Sequence, residues 1–331
     1  MTSVTTTADA VEKPSSAAAR SVGIDLARVV GLVAIVAGHA WDGHEVSVLL
    51  FSWHVPIFFL LTGYLWRPGR PLGAEVRKRA RTLLVPYVLW YLIVAGIWFT
   101  YASQVLYDDF DWHAAARTAL GGVDAPRPFS AFWFVTALFA ATVALRALEK
   151  LGPWAPWLVA ALMLGLFVQD RVRWAGVYWS AATGVACLVF VLAGQVLRTH
   201  RDRVPLPLVT GIALVLVGLV PVVAGDVMSL NLKAGVFGTP YLSVLCAIAI
   251  SIGVLLVCEW AAQVLPAVLL RPVVPLATAA LPLLFTHTLV MAFIDANSDP
   301  STRWWLFWTA LLLPWALGLL IGRTRLRSVL L

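Results

Sequence analysis

Charged residues are scarce in this sequence. Asp, Glu, Lys and Arg together make up 12% of its 331 residues, whereas 61% are hydrophobic and the mean hydropathy is +0.87. A soluble globular protein carries about 25% charged residues, and a chain with so few has too little charge to cover its surface. The composition therefore excludes a soluble enzyme, a disordered chain and a fibrous repeat.

Cysteine is also rare, and its placement argues against several kinds of site. Cys187, Cys246 and Cys258 each lie inside an apolar run, and the sequence has no Cys-x-x-Cys motif or Cys/His cluster. We therefore expect neither a disulfide-stabilised secreted domain nor a metal site. The first 20 residues contain no apolar stretch ahead of a cleavage site, so we do not expect a secretory signal peptide.

Long, continuous apolar runs are the dominant feature of the chain. A transmembrane helix needs about 20 mainly apolar residues, whereas the strands of a membrane β-barrel would alternate apolar and polar residues. The 16 tryptophans fit the indole rings that gather at membrane–water interfaces. We therefore predict an all-α, polytopic integral membrane protein with about ten transmembrane helices. The predicted helices lie near residues 22–41, 46–66, 83–106, 129–148, 154–169, 174–197, 204–225, 237–260, 273–294 and 303–322.

The basic residues predict an orientation in the membrane. In a membrane protein, the net charge of +7 is relevant to which side of the membrane the basic residues occupy, and we expect no nucleic acid partner. If both termini are cytoplasmic, 18 of the 24 Lys and Arg residues fall on the inner side, as the positive-inside rule requires. We expect a plasma-membrane protein with a disordered cytoplasmic tail at 1–20, a transmembrane domain at 21–323 and a short cytoplasmic tail at 324–331.

Three ionisable residues lie in the first predicted helix, where such groups are costly and are functional candidates by default. Asp25 and Arg28 are three residues apart and can pair on one helix face. His39 follows Arg28 by eleven residues, which is three turns plus about 20° and a rise of about 16 Å. The three side chains therefore share one stripe, where a histidine can take up and return a proton near neutral pH. The alternative is an interfacial ion pair with a structural histidine.

Five later segments, together with Arg28-x10-His39, carry a resemblance to a known family. In their order and spacing they resemble the motifs of the acyltransferase family 3 membrane proteins, most closely those of the fucose 4-O-acetylase-like branch. Thr62 replaces the Ser that is usual in the Phe-Phe-x-x-Ser-Gly-Tyr motif of that family. The segments are SWHVPIFFLLTGYLW (Ser52–Trp66), RKRARTLLVPYVLW (Arg77–Trp90), AFWFVTALF (Ala131–Phe139), VLAGQVL (Val191–Leu197) and ALPLLFTHTLV (Ala280–Val290).

The resemblance implies a membrane O-acyltransferase. Such enzymes move an acyl group, often acetyl, from cytoplasmic acyl-CoA to a hydroxyl of a sugar, glycan or small molecule outside. Acetyl-CoA is then a co-substrate, and no bound cofactor is expected. The first-helix histidine of the family, thought to be the catalytic base or the residue that handles the acyl group, maps to His39, and direct transfer and an acyl-enzyme are both open. The family's arginine maps to Arg28, with Arg28 and Asp25 orienting the donor or bracing the helix.

The basic stretch that the family is thought to use for the acyl donor also has a counterpart. It maps to Arg77, Arg79 and Arg81. Guanidinium groups suit the phosphates of acetyl-CoA. The alternative is that this stretch only anchors the protein at the membrane or binds anionic lipid.

Three further residues are candidates for binding the acceptor. His54 lies near the outer end of the second predicted helix, His287 lies deep in the ninth, and Trp133 falls in the aromatic segment. Each also has a structural interpretation as an interfacial or buried side chain.

Two other kinds of protein would also explain the size of the chain: a ten-helix transporter or exporter, and a non-catalytic membrane partner. Neither explains the Arg28-x10-His39 stripe followed by the Phe-Phe-x-x-Thr-Gly-Tyr segment.

Overall fold

Helices build all the regular structure in the part of the chain that is described. The computed structural model describes residues 16–41, 43–106, 111–297 and 303–331. These ranges contain no β-strand, and one antiparallel bridge joins Asn231 to Val236. Their α-helices, numbered in chain order, are α1 Ser16–Ala40, α2 His44–Val46, α3 Pro56–Tyr64, α4 Leu72–Arg79, α5 Val85–Tyr101, α6 Trp112–Arg117, α7 Trp133–Leu148, α8 Ala155–Gln169, α9 Arg171–Ala175, α10 Ala181–Ala186, α11 Leu188–His200, α12 Pro207–Val223, α13 Leu242–Val264, α14 Ala267–Leu270, α15 Val273–Thr278, α16 Ala280–Asn297, α17 Arg303–Ile321 and α18 Arg327–Leu330.

Each apolar run predicted from the sequence contains helix, but fewer than ten helices have the length of a membrane span. Among the described residues, five helical segments are long and apolar enough, and two bent pairs raise the number to seven if each is one span. Ten spans are not confirmed, because α7, α8 and α12 have 16, 15 and 17 residues, whereas a span needs about 20. The five segments are Ser21–Ala40, His44–Tyr64, Leu72–Leu106, Leu242–Val264 and Arg303–Ile321.

The two bent pairs come from apolar runs that the sequence alone makes continuous. Tyr178–Ala186 joins Leu188–Arg203 at an angle of 44°, and Ala267–Thr278 joins Ala280–Asp295 at 76°. Hydropathy measures only how apolar a segment is, so it does not detect a change of direction within a run. The second bend matters for the site because it sets the direction in which α16 carries His287.

Prolines mark where several helices begin. Pro56, Pro86, Pro156 and Pro207 lie at the first or second position of α3, α5, α8 and α12. Proline has no N–H and a fixed φ, so it fits the first turn of a helix, where the N–H groups lack partners. The start of α3 at Pro56 leaves His54 in the turn just before that helix.

Two glycines allow α3 and α11 to cross with their backbones in contact. Gly63 lies against the carbonyl of Val191 and Gly194 against the carbonyl of Leu60, so that a Cβ on either glycine would overlap backbone atoms. Small residues commonly permit such close approach between membrane helices. The crossing fixes the position of the Thr-Gly-Tyr end of α3.

Helix α1 packs beside α13, α15, α16 and α17. Leu32 and Val36 of α1 form one buried apolar cluster with Leu283 of α16 and Phe307 of α17. This cluster holds the last turns of α1 against the middle of α16. The packing therefore brings the end of the predicted polar stripe to the helix that carries His287.

Both predicted tails include residues that the structure describes as helical. Residues 16–20 belong to α1, whereas the rest of the predicted N-terminal tail lies outside the described residues. At the other end α18 packs against α5, and the indole N–H of Trp90 donates to the carbonyl of Leu330 at 3.1 Å. Residues in this part of the predicted C-terminal tail thus contact α5, while the predicted domain bounds stay a prediction.

Candidate functional site

Three histidines converge where α1 ends. The ring centroids of His39 in α1 and His287 in α16 are 5.2 Å apart, with the ring planes tilted by 59°. Nε2 of His54 lies 3.9 Å from the position that a Cβ on Gly38 would take, so this imidazole lies beside the last turn of α1. The structure thus brings together three histidines that the sequence indicates at separate places.

Hydrogen bonds to backbone carbonyls determine the tautomers of two of these rings. Nδ1 of His54 lies 2.7 Å from the carbonyl oxygen of Leu50, and Nδ1 of His287 lies 2.9 Å from that of Leu283. A carbonyl oxygen only accepts, so Nδ1 is the donor in both rings. In the neutral form of each ring, Nε2 therefore carries a lone pair.

The Nε2 atom of His287 is buried without a hydrogen-bond partner. The residue is 0% exposed, and Nε2 has no partner among the described protein atoms. An unpaired buried polar group costs about 1–3 kcal/mol, so such an atom in a native fold calls for an explanation. His39, by contrast, is partly exposed. The pair thus combines a partly accessible ring with a fully buried ring behind it.

Asp25 and Arg28 form the predicted ion pair, with Nη1 of Arg28 2.6 Å from Oδ1 of Asp25. At 1.5 Å per residue, however, this pair lies about 16 Å from His39 along α1. Arg28 therefore does not act at the same atom as His39. The structure divides the predicted stripe between two sites, one in the middle of α1 and one at its C-terminal end.

A cavity of about 480 Å³ opens beside Arg28. Lys78 and Arg79 of α4 line it together with Arg28, so three cationic side chains surround one end. Phe58 and Thr62 of α3 also line the cavity. We call this space the basic cavity.

The basic cavity extends toward the histidine pair. Ile35 of α1 and Leu284 of α16 line it, and they precede His39 and His287 by four and three residues respectively. These spacings correspond to about one helical turn. The basic cavity therefore runs from a cationic end to within a turn of the two imidazoles, with mostly apolar walls between.

The structure changes which members of the basic stretch face this cavity. Of the three arginines predicted to bind the donor, only Arg79 lines it, whereas Arg77 and Arg81 are exposed elsewhere. Lys78, which the sequence analysis does not single out, lines the cavity beside Arg79. Buried Glu75 accepts from Nε of Arg79 at 2.7 Å and holds that side chain in place.

An aromatic and ionic cluster attaches α4 to α7. The guanidinium carbons of Arg146 and Arg79 lie 4.3 and 5.6 Å from the ring centroid of Trp66, within the range of cation–π attraction. The indole N–H of Trp66 donates to Glu149 at 2.8 Å, and Arg146 pairs with the same carboxylate at 2.6 Å. This cluster keeps the wall that carries Arg79 rigid.

A second cavity, of about 730 Å³, lies near the C-terminal end of α1. Its wall meets the end of α1 through Arg127, whose guanidinium donates to the carbonyl of His39. We call it the loop cavity because the segments between helices supply most of its wall. Its polar and aromatic lining includes Trp98, Phe99, Asp111, Arg117, Asp124 and Tyr178.

Lys233 adds a cation near the loop cavity, beside Arg117 and Arg127 of its wall. Its ammonium group donates to the carbonyl of Ala125 at 2.7 Å. Burial, opposed by the Asp124 carboxylate and assisted by the charge of Arg127, lowers the pKa of Lys233 to about 8. Arg127 and Lys233 both lie within electrostatic range of the His39 ring, so this end of α1 carries positive charge on the side of the loop cavity.

Trp133 lies apart from both cavities. It is 6% exposed and belongs to the largest buried apolar cluster, with its ring against Phe134. The structure therefore gives it no contact with the basic cavity or the loop cavity, and its predicted role in acceptor binding stays a prediction.

The sequence analysis did not identify Arg127 and Lys233 as candidates. Both belong to the few basic residues on the predicted outer side, which is the one sequence signal that marks them.

The comparison with protein families agrees with the motifs. The family model described as "Acyltransferase domain" matches residues 21–323. The chain belongs to acyltransferase family 3. Its apolar helices and its family together make it a membrane acyltransferase, which needs an acyl donor and an acceptor. It matches none of the curated proteins and none of the solved structures with which it was compared.

Proposed function

We propose that this acyltransferase family 3 protein transfers an acetyl group from acetyl-CoA to a hydroxyl of a sugar or glycan, with His39 as the general base. The observation that carries the proposal is the His39–His287 pair, which lines neither cavity but lies about one helical turn beyond Ile35 and Leu284 of the basic cavity, while Arg127 of the loop cavity contacts His39. The basic cavity follows α1 toward Arg28, and the loop cavity reaches the carbonyl of His39 through Arg127.

The basic cavity suits the donor. Arg28, Lys78 and Arg79 offer charge-assisted hydrogen bonds to the phosphates of the CoA moiety. The apolar walls beyond them fit the narrow pantetheine arm and lead its thioester toward the histidines. In this arrangement Arg28 binds the donor rather than the reacting carbonyl, and Asp25 orients the Arg28 guanidinium.

The histidine pair suits base catalysis. His39 takes the hydroxyl proton as the acceptor oxygen attacks the thioester carbonyl carbon, and a tetrahedral intermediate forms. The carbon–sulfur bond then breaks, and the imidazolium returns the proton to the departing CoA sulfur. The lone pair on Nε2 of His287 can accept from the His39 ring and orient it, as a second group orients the base in many active sites. An acetyl group trapped on a side chain would support the competing acyl-enzyme route.

The loop cavity suits the acceptor. Trp98 and Tyr178 supply flat apolar surfaces for a sugar ring, and Asp111 and Asp124 can accept hydrogen bonds from its hydroxyls. His54 is buried beside the end of α1, close to Gly38, and we assign it to the acceptor side of His39. The resemblance to the fucose 4-O-acetylase-like branch points to the same class of acceptor.

The orientation that goes with this function is the one predicted from the basic residues. We place both termini and the cationic end of the basic cavity in the cytoplasm, and the loop cavity on the outer side of the plasma membrane. The excess of Lys and Arg on one side supports this orientation. Acetyl-CoA would then enter from the cytoplasm while the acceptor hydroxyl approaches from outside.

The test is acetyl transfer by the purified protein. With radiolabelled acetyl-CoA and a panel of methyl hexopyranosides, we expect His39→Ala to lower kcat/KM by about 10²–10⁴-fold, the usual contribution of a general base. His39→Gln should be similarly inactive, because its amide cannot accept the proton. Initial rates per correctly inserted protein are the measurement.

His200→Ala is the matched control. His200 is exposed at the end of α11 and lies away from both cavities, so its loss should leave the rate unchanged. A folded His39→Ala protein that transfers acetyl at a third or more of the wild-type rate would remove His39 from its role as base. If the wild type transfers no acetyl group from acetyl-CoA and instead transports a solute across the membrane, the transporter alternative is favoured.

A further inference from the structure

Arg127 binds the backbone at the C-terminal end of α1. The last carbonyls of a helix have no partner within the helix, and the carbonyl of His39 instead accepts from Nη2 of Arg127. A cation at a helix C-terminus is also favoured by the helix dipole. The residue that carries the proposed base is therefore held, through its own backbone, by a guanidinium from a distant part of the chain.

The other nitrogen of the same guanidinium contacts the helix of the second histidine. Nη1 of Arg127 lies 2.5 Å from Oδ2 of Asp295 in α16. Asp295 follows His287 by eight residues, so it lies about two turns further along that helix. One side chain thus connects the end of α1 to α16, at a point about two turns beyond His287.

Neighbouring contacts hold the segment that carries Arg127. The hydroxyl of Thr288, next to His287, donates to the carbonyl of Pro128 at 2.6 Å. The ammonium group of Lys233 donates to the carbonyl of Ala125. Residues 125–128 are therefore fixed on both sides of Arg127, and its guanidinium is held against the two helices.

We propose that Arg127 is a positioning residue for the His39–His287 pair. It fixes the last turn of α1 relative to α16 and so keeps the two imidazoles in register for proton transfer. The proposal rests on the proposed function, in which His39 is the base. Misplacement of a reacting group by about 1 Å can cost about 10²-fold in rate, so a contact of this kind matters for turnover even though it touches no substrate.

The ion pair is not a plausible source of overall stability. The side chains of Arg127 and Asp295 are 32% and 36% exposed, and exposed ion pairs contribute about 0–1 kcal/mol. The bond to the His39 carbonyl is local to the histidine pair. We therefore expect loss of Arg127 to change catalysis much more than thermal stability.

The experiment is a kinetic comparison of variants at position 127, with acetyl-CoA and the methyl hexopyranoside that the wild type acetylates best. Arg127→Gln should lower kcat about 10–100-fold while the KM values for acetyl-CoA and sugar stay within about twofold. Arg127→Lys, which keeps the charge and one donor at this position, should recover part of the loss. Added guanidinium should raise the rate of Arg127→Ala and not that of the wild type.

Two further variants test the positioning role even if Arg127→Gln does not fold. Asp295→Asn leaves the bond to the His39 carbonyl in place and should lower kcat less than Arg127→Lys does. Arg171→Gln removes an exposed arginine that lines neither cavity and should have no effect.

Two kinetic outcomes would overturn the positioning role. One is unchanged kcat in Arg127→Gln, and the other is a raised KM for sugar with kcat intact, which would make Arg127 an acceptor-binding residue. If transfer survives in His39→Ala, the proposed function loses its base and this role fails with it. His39-dependent transfer that is insensitive to Arg127 contradicts only the positioning role.

Discussion

At the scale of single residues, the direction of each basic side chain determines which of them lines the basic cavity, where we propose that the donor binds. Lys78 and Arg79 line the basic cavity, whereas Arg77 and Arg81 are exposed away from it. Replacing Lys78 and Arg79 together by Gln should raise the KM for acetyl-CoA at least tenfold. The reason is that a hydrogen bond to a charged group contributes about 1.5–3 kcal/mol, and about 1.4 kcal/mol is a factor of ten. Initial rates against acetyl-CoA concentration are the measurement.

The double variant Arg77→Gln with Arg81→Gln is the matched control. It removes the same charge from the same stretch, but from side chains outside the basic cavity, so the KM for acetyl-CoA should stay near the wild-type value. The reverse result would mean that the exposed pair binds the donor. If neither double variant changes the KM, the stretch acts only as a membrane anchor or lipid site.

The sequence did not distinguish these side chains for a local reason. Helix α4 ends at Arg79, and a π-helical turn, Ala80–Leu84, follows directly. A π-helical turn closes its hydrogen bonds over five residues rather than four, so it shifts the angular position of every residue after it. Spacing along a regular helix therefore could not place Arg81 relative to Arg79.

At the scale of elements, contacts within one helix were predictable and contacts between distant helices were not. The Asp25–Arg28 ion pair follows from the period of a helix, and the structure confirms it. The meeting of His39 with His287, and that of Arg127 with His39, join residues far apart in the chain. These meetings depend on how helices pack, which no local pattern records.

A buried ionic cluster connects α3, α13 and the turn after α11. Glu259 of α13 is 0% exposed and accepts from Nε of Arg201 at 2.6 Å and from the hydroxyl of Tyr64 at 3.0 Å. Tyr64 is the tyrosine of the Phe-Phe-x-x-Thr-Gly-Tyr segment and the last residue of α3. Because each charge in the cluster has its partner, the cluster is tolerated inside an apolar bundle.

Removing one member of this cluster should destabilise the bundle. Glu259→Ala leaves the buried Arg201 charge unpaired, and we expect the free energy of unfolding to fall by about 3–5 kcal/mol. The thermal unfolding midpoint in detergent is the measurement, with exposed Glu45→Ala as the control. Combining Glu259→Leu with Arg201→Met should recover most of the loss, because apolar residues replace both charges. An unchanged midpoint in Glu259→Ala would show that the cluster does not hold these elements together.

At the scale of the whole molecule, the basic cavity runs along the middle of α1 and the loop cavity lies near its C-terminal end, where the histidine pair is found. The basic cavity extends past Arg28, Ile35 and Leu284, whereas the loop cavity meets the end of α1 at Arg127. A bundle built this way keeps a charged donor and a polar acceptor apart until both reach the histidines. The proposed function therefore requires the two cavities to face opposite sides of the membrane.

Cysteine labelling of the intact membrane tests that requirement. The three native cysteines are buried, so a membrane-impermeant maleimide should react only with introduced thiols. Leu120→Cys, at an exposed position in the wall of the loop cavity, should be labelled from outside. Gly73→Cys, at an exposed position where a Cβ meets no atom within 4 Å, should be labelled only after the membrane is permeabilised. Labelling of both from outside would place the two cavities on one face, and the reverse pattern would place the basic cavity outside, away from cytoplasmic acetyl-CoA.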